Sequence, residues 1–90
     1  MPGTNTAAQP EPVIKAIEVT EEEIIASLSD GRTISVPLAW SWRLAEATVE
    51  QREEFRLIAG GQGIHWPTID EDISVWGMLH GVPSYRPQSA

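Results

Sequence analysis

Residues 65–72, His65-Trp66-Pro67-Thr68-Ile69-Asp70-Glu71-Asp72, form the one dense run of chemistry-bearing side chains, with an imidazole and three carboxylates. A hard or borderline divalent ion could use that imidazole nitrogen together with carboxylate oxygens. The spacing does not demand it: the calcium-loop pattern lacks glycine at its sixth position, and no HExxH is present. Acid/base catalysis would need two carboxylates converging across a cleft with separated pKa values. Asp70 and Asp72 share a face if the segment is extended, but exposed neighbours of this kind are more often solvated together. Three readings follow: a metal-assisted or acid/base centre on His65, Asp70 and Asp72, a polar partner-binding loop, or a capping and solubilising segment. His65, set between Ile64 and Trp66, should face away from both and read as a surface or Asp-paired histidine.

The remaining candidates are weaker. The seven serines include none in a G-x-S-x-G context, and two histidines are the whole supply of imidazole bases. Gly60-Gly61-Gln62-Gly63 lacks the lysine and hydroxyl of a phosphate-binding loop, so a turn or bulge is expected there. Trp40, Trp42, Trp66 and Trp76 are many for so short a chain, and core packing accounts for at least two. Trp76 falls off the apolar face of its own segment and marks an exposed or dimeric surface. The candidate interaction surface is therefore His65, Asp70, Glu71, Asp72 and Trp76, with no catalytic residue, cofactor or metal ligand assigned.

Ninety residues suit a single domain with a narrow stability margin. Thirteen acidic and six basic residues give a formal charge of -7, which repels a phosphate backbone and disfavours direct nucleic-acid binding. The same field attracts a basic protein and also confers solubility. Cysteine is absent, excluding disulfides and thiolate chemistry. No window approaches about 18 continuous apolar residues, and residues 1–12 lack a basic flank and apolar core, so a cytoplasmic protein is expected.

Those candidates must be positioned by short elements. Residues 1–12 read as a flexible leader, 13–82 as one α+β domain and 83–90 as a tail. Residues 13–19 and 23–28 read as adjacent strands. Asp30-Gly31 signals a hairpin whose length the flanking side chains test. A two-residue loop would set Ala26 opposite Ser35; a three-residue loop, Ser29-Asp30-Gly31, pairs Ala26 with Ile34 and Ile24 with Val36, leaving Gly31 left-handed in a bulge. The second register is preferred. Pro37 ends the third strand, residues 38–45 suggest a short helix or 3₁₀ turn, and Thr48 with Gln51 matches a capping box opening a helix of about two turns. Residues 55–59 and 64–66 read as a hairpin or one bulged strand. Ser74 caps a closing helix that ends at Gly81 and should bury Val75, Met78 and Leu79, with Val82 beyond it. The expected fold is α+β, a small antiparallel sheet with two or three short helices packed against it.

With these segments in view, the chain resembles the uncharacterised bacterial family catalogued as domain of unknown function 2442, over about residues 13–82. The resemblance is carried by Leu28-Ser29-Asp30-Gly31-Arg32, Leu38-Ala39-Trp40, Leu44-Ala45-Glu46-Ala47-Thr48, Glu50-Gln51-Arg52, and above all the string of residues 63–75 from Gly63 to Val75. It implies a small α+β domain and supplies no catalytic residues. Some relatives resemble partners of a second small protein in a toxin-antitoxin-like arrangement, and some resemble fusions to a helix-turn-helix segment, which is not found after Gly81 here. The expected function is a noncatalytic interaction module, antitoxin-like, whose partner is another small protein or a second copy. The alternatives are the His65/Asp70/Asp72 enzyme and a structural homo-oligomerisation domain.

Overall fold

The computed structural model describes residues 12–81. The expected leader, except Pro12, and the expected tail lie outside these residues, as does Val82. Two three-stranded antiparallel sheets and three short helices make up the described chain. The first sheet holds β1 (Ile14–Val19), β2 (Glu23–Leu28) and β3 (Thr33–Pro37) in that order. A 3₁₀ turn at Leu38–Trp40 leads into α1 (Trp42–Ala45) and α2 (Val49–Glu53). The second sheet is β4 (Arg56–Ile58), β5 (Gly63–Trp66) and β6 (Glu71–Ser74), and α3 (Val75–His80) closes the described chain. The α+β class is therefore as expected, but with two small sheets in place of one. The extra strand is β6, whose Glu71-Asp72-Ile73-Ser74 carries a single apolar residue and so shows no alternation of its own.

The β2–β3 hairpin adopts the register that apolar facing requires, with Ala26 opposite Ile34 and Ile24 opposite Val36. The Gly31 N–H donates to the Leu28 carbonyl and the Leu28 N–H to the Arg32 carbonyl, closing a three-residue loop in which Gly31 has a φ of 95°. Asp30 fastens the loop by accepting from the Arg32 backbone N–H and pairing with its guanidinium at 2.9 Å. The capping box forms in full: the Gln51 N–H donates to the Thr48 hydroxyl, and the Thr48 N–H to the Gln51 side chain. Between β4 and β5 the backbone turns through Ala59, Gly60 and Gly61, all at positive φ, so the glycine run makes a hairpin. Gly61 meets that requirement and a second one, since a Cβ there would stand 2.9 Å from the Val13 Cβ at the entry to β1.

Side chains from both sheets share one core, including Ile24, Ala26, Leu28 and Val36 from the first and Ile64 and Trp66 from the second, closed by Leu44, Val75 and Met78. Leu79, expected among them, is exposed. The short α3 turns Val75 and Met78 inward, while Leu79, in its last turn, is 38% exposed.

Arg52 ties this arrangement together although it is a charged residue in a five-residue helix. It is 8% exposed, and its guanidinium donates to the carbonyls of Leu44 at 3.0 Å and Ala45 at 3.2 Å, at the end of α1. Its third branch reaches Glu21, in the turn between β1 and β2. In return the Arg52 carbonyl accepts the buried Trp66 indole N–H at 2.9 Å. Glu21 is 78% exposed, so that ion pair is screened and contributes little. The two carbonyls matter more, because both lie at the end of α1, where the guanidinium bonds to the Ala45 carbonyl and adds to the Ala47 N–H already on the Leu44 carbonyl.

Replacing Arg52 with methionine should lower unfolding free energy by about 1–3 kcal/mol, read by urea denaturation, because it removes the charge-assisted bonds to two helix-end carbonyls. Arg52→Lys should recover only a minor part, since an ammonium cannot reproduce the planar fork. For the hairpin, the Asp30 carboxyl should titrate below the ordinary aspartate range, chiefly through the Arg32 backbone N–H and then through the Arg32 side chain. Carboxyl ¹³C shifts measure this directly. A lowered folded pKa means the contribution is present at neutral pH and is lost as pH falls through that folded value. Asp30→Ala should therefore destabilise at neutral pH and match the wild type in strong acid.

Candidate interaction surface

The 63–75 string folds into two antiparallel strands joined by a tight turn, and pairing divides its side chains between two faces. Trp66 lies opposite Glu71, and Ile64 opposite Ile73, on the face turned to the core. His65 lies opposite Asp72, and Gly63 opposite Ser74, on the outer face. β4 continues both rows, with Arg56 across from His65 and Ile58 across from Gly63. The outer face thus carries a polar row, Arg56, His65 and Asp72, beside a row of Ile58, Gly63 and Ser74. A Cβ on Gly63 would come within 3.2 Å of the Ile58 side chain, which places Ile58 over the glycine.

His65 and Asp72 are brought together, with Nδ1 and Oδ1 2.6 Å apart. Asp72 is 66% exposed and His65 21%, so the imidazole lies close to the sheet under a solvated carboxylate. Such a contact orients the ring and fixes which nitrogen faces the acid. Glu71 is not part of this surface. It is buried, accepting the Ser41 hydroxyl at 2.5 Å and the Asp72 N–H at 3.1 Å. Ser41 in turn caps α1 by accepting the Leu44 N–H. The expectation that Glu71 stands on a solvated loop is corrected: alternation along β6 turns it inward between Asp70 and Asp72, and Ser41 supplies the donor that a buried carboxylate needs.

Asp70 sits in the turn at a φ of 54°, and its carbonyl accepts from the Arg43 guanidinium. It belongs to the fastening of α1 against the second sheet. Among the described residues no three His, Cys, Asp or Glu side chains are grouped to hold a metal ion. The proposed grouping of His65, Asp70 and Asp72 is thus reduced to the His65–Asp72 pair. Backbone alternation sends Asp72 out, while the turn conformation uses Asp70 through its carbonyl.

Trp76, on the first turn of α3, is 59% exposed and stacks on His80 with ring centroids 4.3 Å apart. It borders two hollows. One, of about 510 Å³, lies over the outer face and is lined by Ile58, Gln62, Gly63, Asp72 and Ser74 as well as Trp76. The other, of about 250 Å³, runs between α3 and the first sheet, with Ile24, Val36 and Met78 at its base and Trp40 opposite Trp76. Asp72, Ile73 and Ser74 separate the two.

Residues 63–75 thus form one segment that holds two strands, the turn, a buried carboxylate and an N-cap. The match to the family model for DUF2442, described as a protein of unknown function, extends over residues 14–84 and so includes that whole segment. The chain belongs to this family. Its fold is similar to that of a protein of unknown function from Rhodospirillum rubrum, at 25% identity and a TM-score of 0.71, covering 86% of this chain and 95% of that one. An uncharacterized protein from Chromobacterium violaceum, solved by solution NMR, shares the fold at 24% identity and a TM-score of 0.67, covering 80% of this chain and 68% of that one. No curated protein matches.

Arg56, Ile58 and Ser41 were not among the sequence candidates. Arg56 and Ile58 join the surface only through the β4–β5 register, which becomes readable once 63–66 is recognised as the partner of both neighbours. Ser41 carried a local signal, its place three residues before Leu44 at the start of a helix. Ser41→Ala should cost about 1–3 kcal/mol, from the lost cap and the weakened satisfaction of Glu71, as measured by chemical denaturation. Adding Glu71→Leu to that variant should cost less than the sum of the two single changes, because the pair is then removed together.

Proposed function

We propose that this DUF2442 domain is a noncatalytic protein-interaction module whose partner meets the outer face of the second sheet, with Trp76 as the anchoring side chain. The observation that carries this reading is the exposure of Trp76 between two hollows. A large indole held outside the core offers apolar area at low entropic cost, and tryptophan is enriched among residues that dominate binding energy. Ile58 adds apolar surface along one side of the larger hollow, while the His65–Asp72 pair and Arg56 supply a polar border. The pairing fixes the imidazole in place, which favours directional hydrogen bonding to a partner. An antitoxin-like role in the cytoplasm, beside another small protein, is part of the same proposal.

The test is affinity capture from the native cell with the full tagged chain, comparing wild type and Trp76→Ala by quantitative mass spectrometry. One protein should be enriched by the wild type and lose at least about tenfold of its recovery with Trp76→Ala, a change equivalent to about 1.4 kcal/mol. Equal recovery would remove Trp76 from the interface. A wild-type chain that captures nothing and shows concentration-dependent dimer mass in light scattering would replace the proposal with homo-oligomerisation.

A further inference from the structure

Trp76 stacks on His80, one turn further along α3, with ring centroids 4.3 Å apart. The other face of the indole therefore looks back along the helix, towards the corner where β6 ends, and the larger hollow lies there. Strand pairing fixes what else the hollow meets. Asp72 and Ser74 alternate outward along β6, so their side chains reach it from the outer face of the sheet. Ile58, lying over Gly63, gives it an apolar floor, and Gln62 adds an exposed amide. His65 takes Oδ1 of Asp72, while Oδ2 carries no hydrogen bond among the described residues. Among those residues no lysine, arginine or histidine lines the hollow.

We propose that this hollow binds a small organic cation, a primary ammonium carried on an apolar body. The ammonium sits between the Asp72 carboxylate and the free face of Trp76, and the body lies over Ile58. This goes beyond the protein-interaction reading: the site shares Trp76 with that interface and needs no partner protein. A concave, mostly apolar lining with a few converging polar groups is the usual make-up of a small-ligand site. The indole is the best of the aromatic rings for holding a cation over its face. An ammonium also donates to the carboxylate, the Ser74 hydroxyl oxygen and the Gln62 amide oxygen, bonds that a quaternary ammonium forgoes. The Asp72 charge repels an anion, and a chain of formal charge -7 draws cations in. The N-terminal end of α3 faces the same corner with a partial positive charge, but its Gly77 N–H is spent on Ser74, and the full charge of Asp72 outweighs the remainder.

The probes are phenethylammonium, its neutral twin phenylethanol and the anionic phenylpropanoate, each titrated into the full ¹⁵N-labelled chain. Shifts should concentrate at the amides of Ile58, Gly63 and Asp72 and at the Trp76 indole N–H. The ammonium should bind about five- to tenfold tighter than the alcohol at low salt, with the ratio shrinking at high salt, and the anion should bind weakest. Asp72→Asn, which keeps an oxygen for His65, should bring the ratio of ammonium to alcohol close to one, and Trp76→Leu should weaken both. Equal affinity for ammonium and alcohol overturns the cation assignment, as does a preference that survives Asp72→Asn and so comes from net charge alone. Shifts centred on Ile24, Val36 and Met78 put the ligand in the smaller hollow and overturn the site. Absence of any shift up to about 10 mM ammonium overturns the proposal outright, whether or not Trp76-dependent capture succeeds. Shifts at these residues on concentrating the chain without ligand make the occupant a second copy and overturn it as well. Ammonium binding beside a failed capture removes the interaction reading and leaves this site standing.

Discussion

A buried guanidinium must have acceptors for nearly all its N–H groups, and here that requirement organises the molecule. Arg52 meets it with two carbonyls at the end of α1 and a carboxylate in the β1–β2 turn. Its own carbonyl then takes the Trp66 indole, so the residue joins both sheets and both central helices. None of these bonds is large taken singly. Their value lies in their number, since truncating Arg52 would remove the bonds to Leu44, Ala45 and Glu21 together. The second polar group in the interior, Glu71, follows the same rule through Ser41 and the Asp72 N–H. Among the described residues no buried side-chain nitrogen or oxygen lacks a partner.

These internal fastenings decide what is left for the outside. With Glu71 turned in and the Asp70 carbonyl taken by Arg43, the acidic run is not a continuous acidic patch but two outward carboxylates flanking one inward carboxylate. The outer face is consequently mixed. Arg56, His65 and Asp72 form one row, Ile58 shields Gly63 in the next, and Trp76 stands at the corner where β6 becomes α3. A surface of this composition suits recognition, in which an apolar anchor provides area and a polar border provides orientation.

Much of the first sheet was legible because local and long-range requirements agree there. Asp30-Gly31 calls for a tight turn, and the alternation of Ile24, Ala26, Ile34 and Val36 admits only one loop length. Thr48 with Gln51, and Ser74 with Gly81, likewise announce helix ends through short-range bonds. The second sheet was harder to read because its strands are defined by partners. β6 has three polar residues in four, and Glu71 becomes a core residue only when Ser41, thirty positions earlier, is brought opposite it. Arg52 resembles an ordinary solvated base on a helix, and nothing within a few residues shows that two carbonyls from the preceding helix surround it. Leu79 fits a helical apolar pattern, but in the last turn of α3 it stays exposed. Of the site, the His65–Asp72 pairing and the exposure of Trp76 were open to sequence reasoning. The places of Arg56 and Ile58 needed the register.

The indole-to-carbonyl bond between Trp66 and Arg52 also bears on how the chain is born. When β1, β2 and β3 have left the ribosome, their apolar face still lacks Ile64, Trp66, Val75 and Met78, which lie later in the chain. Arg52 emerges before Trp66 as well, so the helices that flank it have no second sheet to rest on. The nascent first sheet is therefore an unfinished half until residues 64–78 have followed it, and only then can its apolar face be covered.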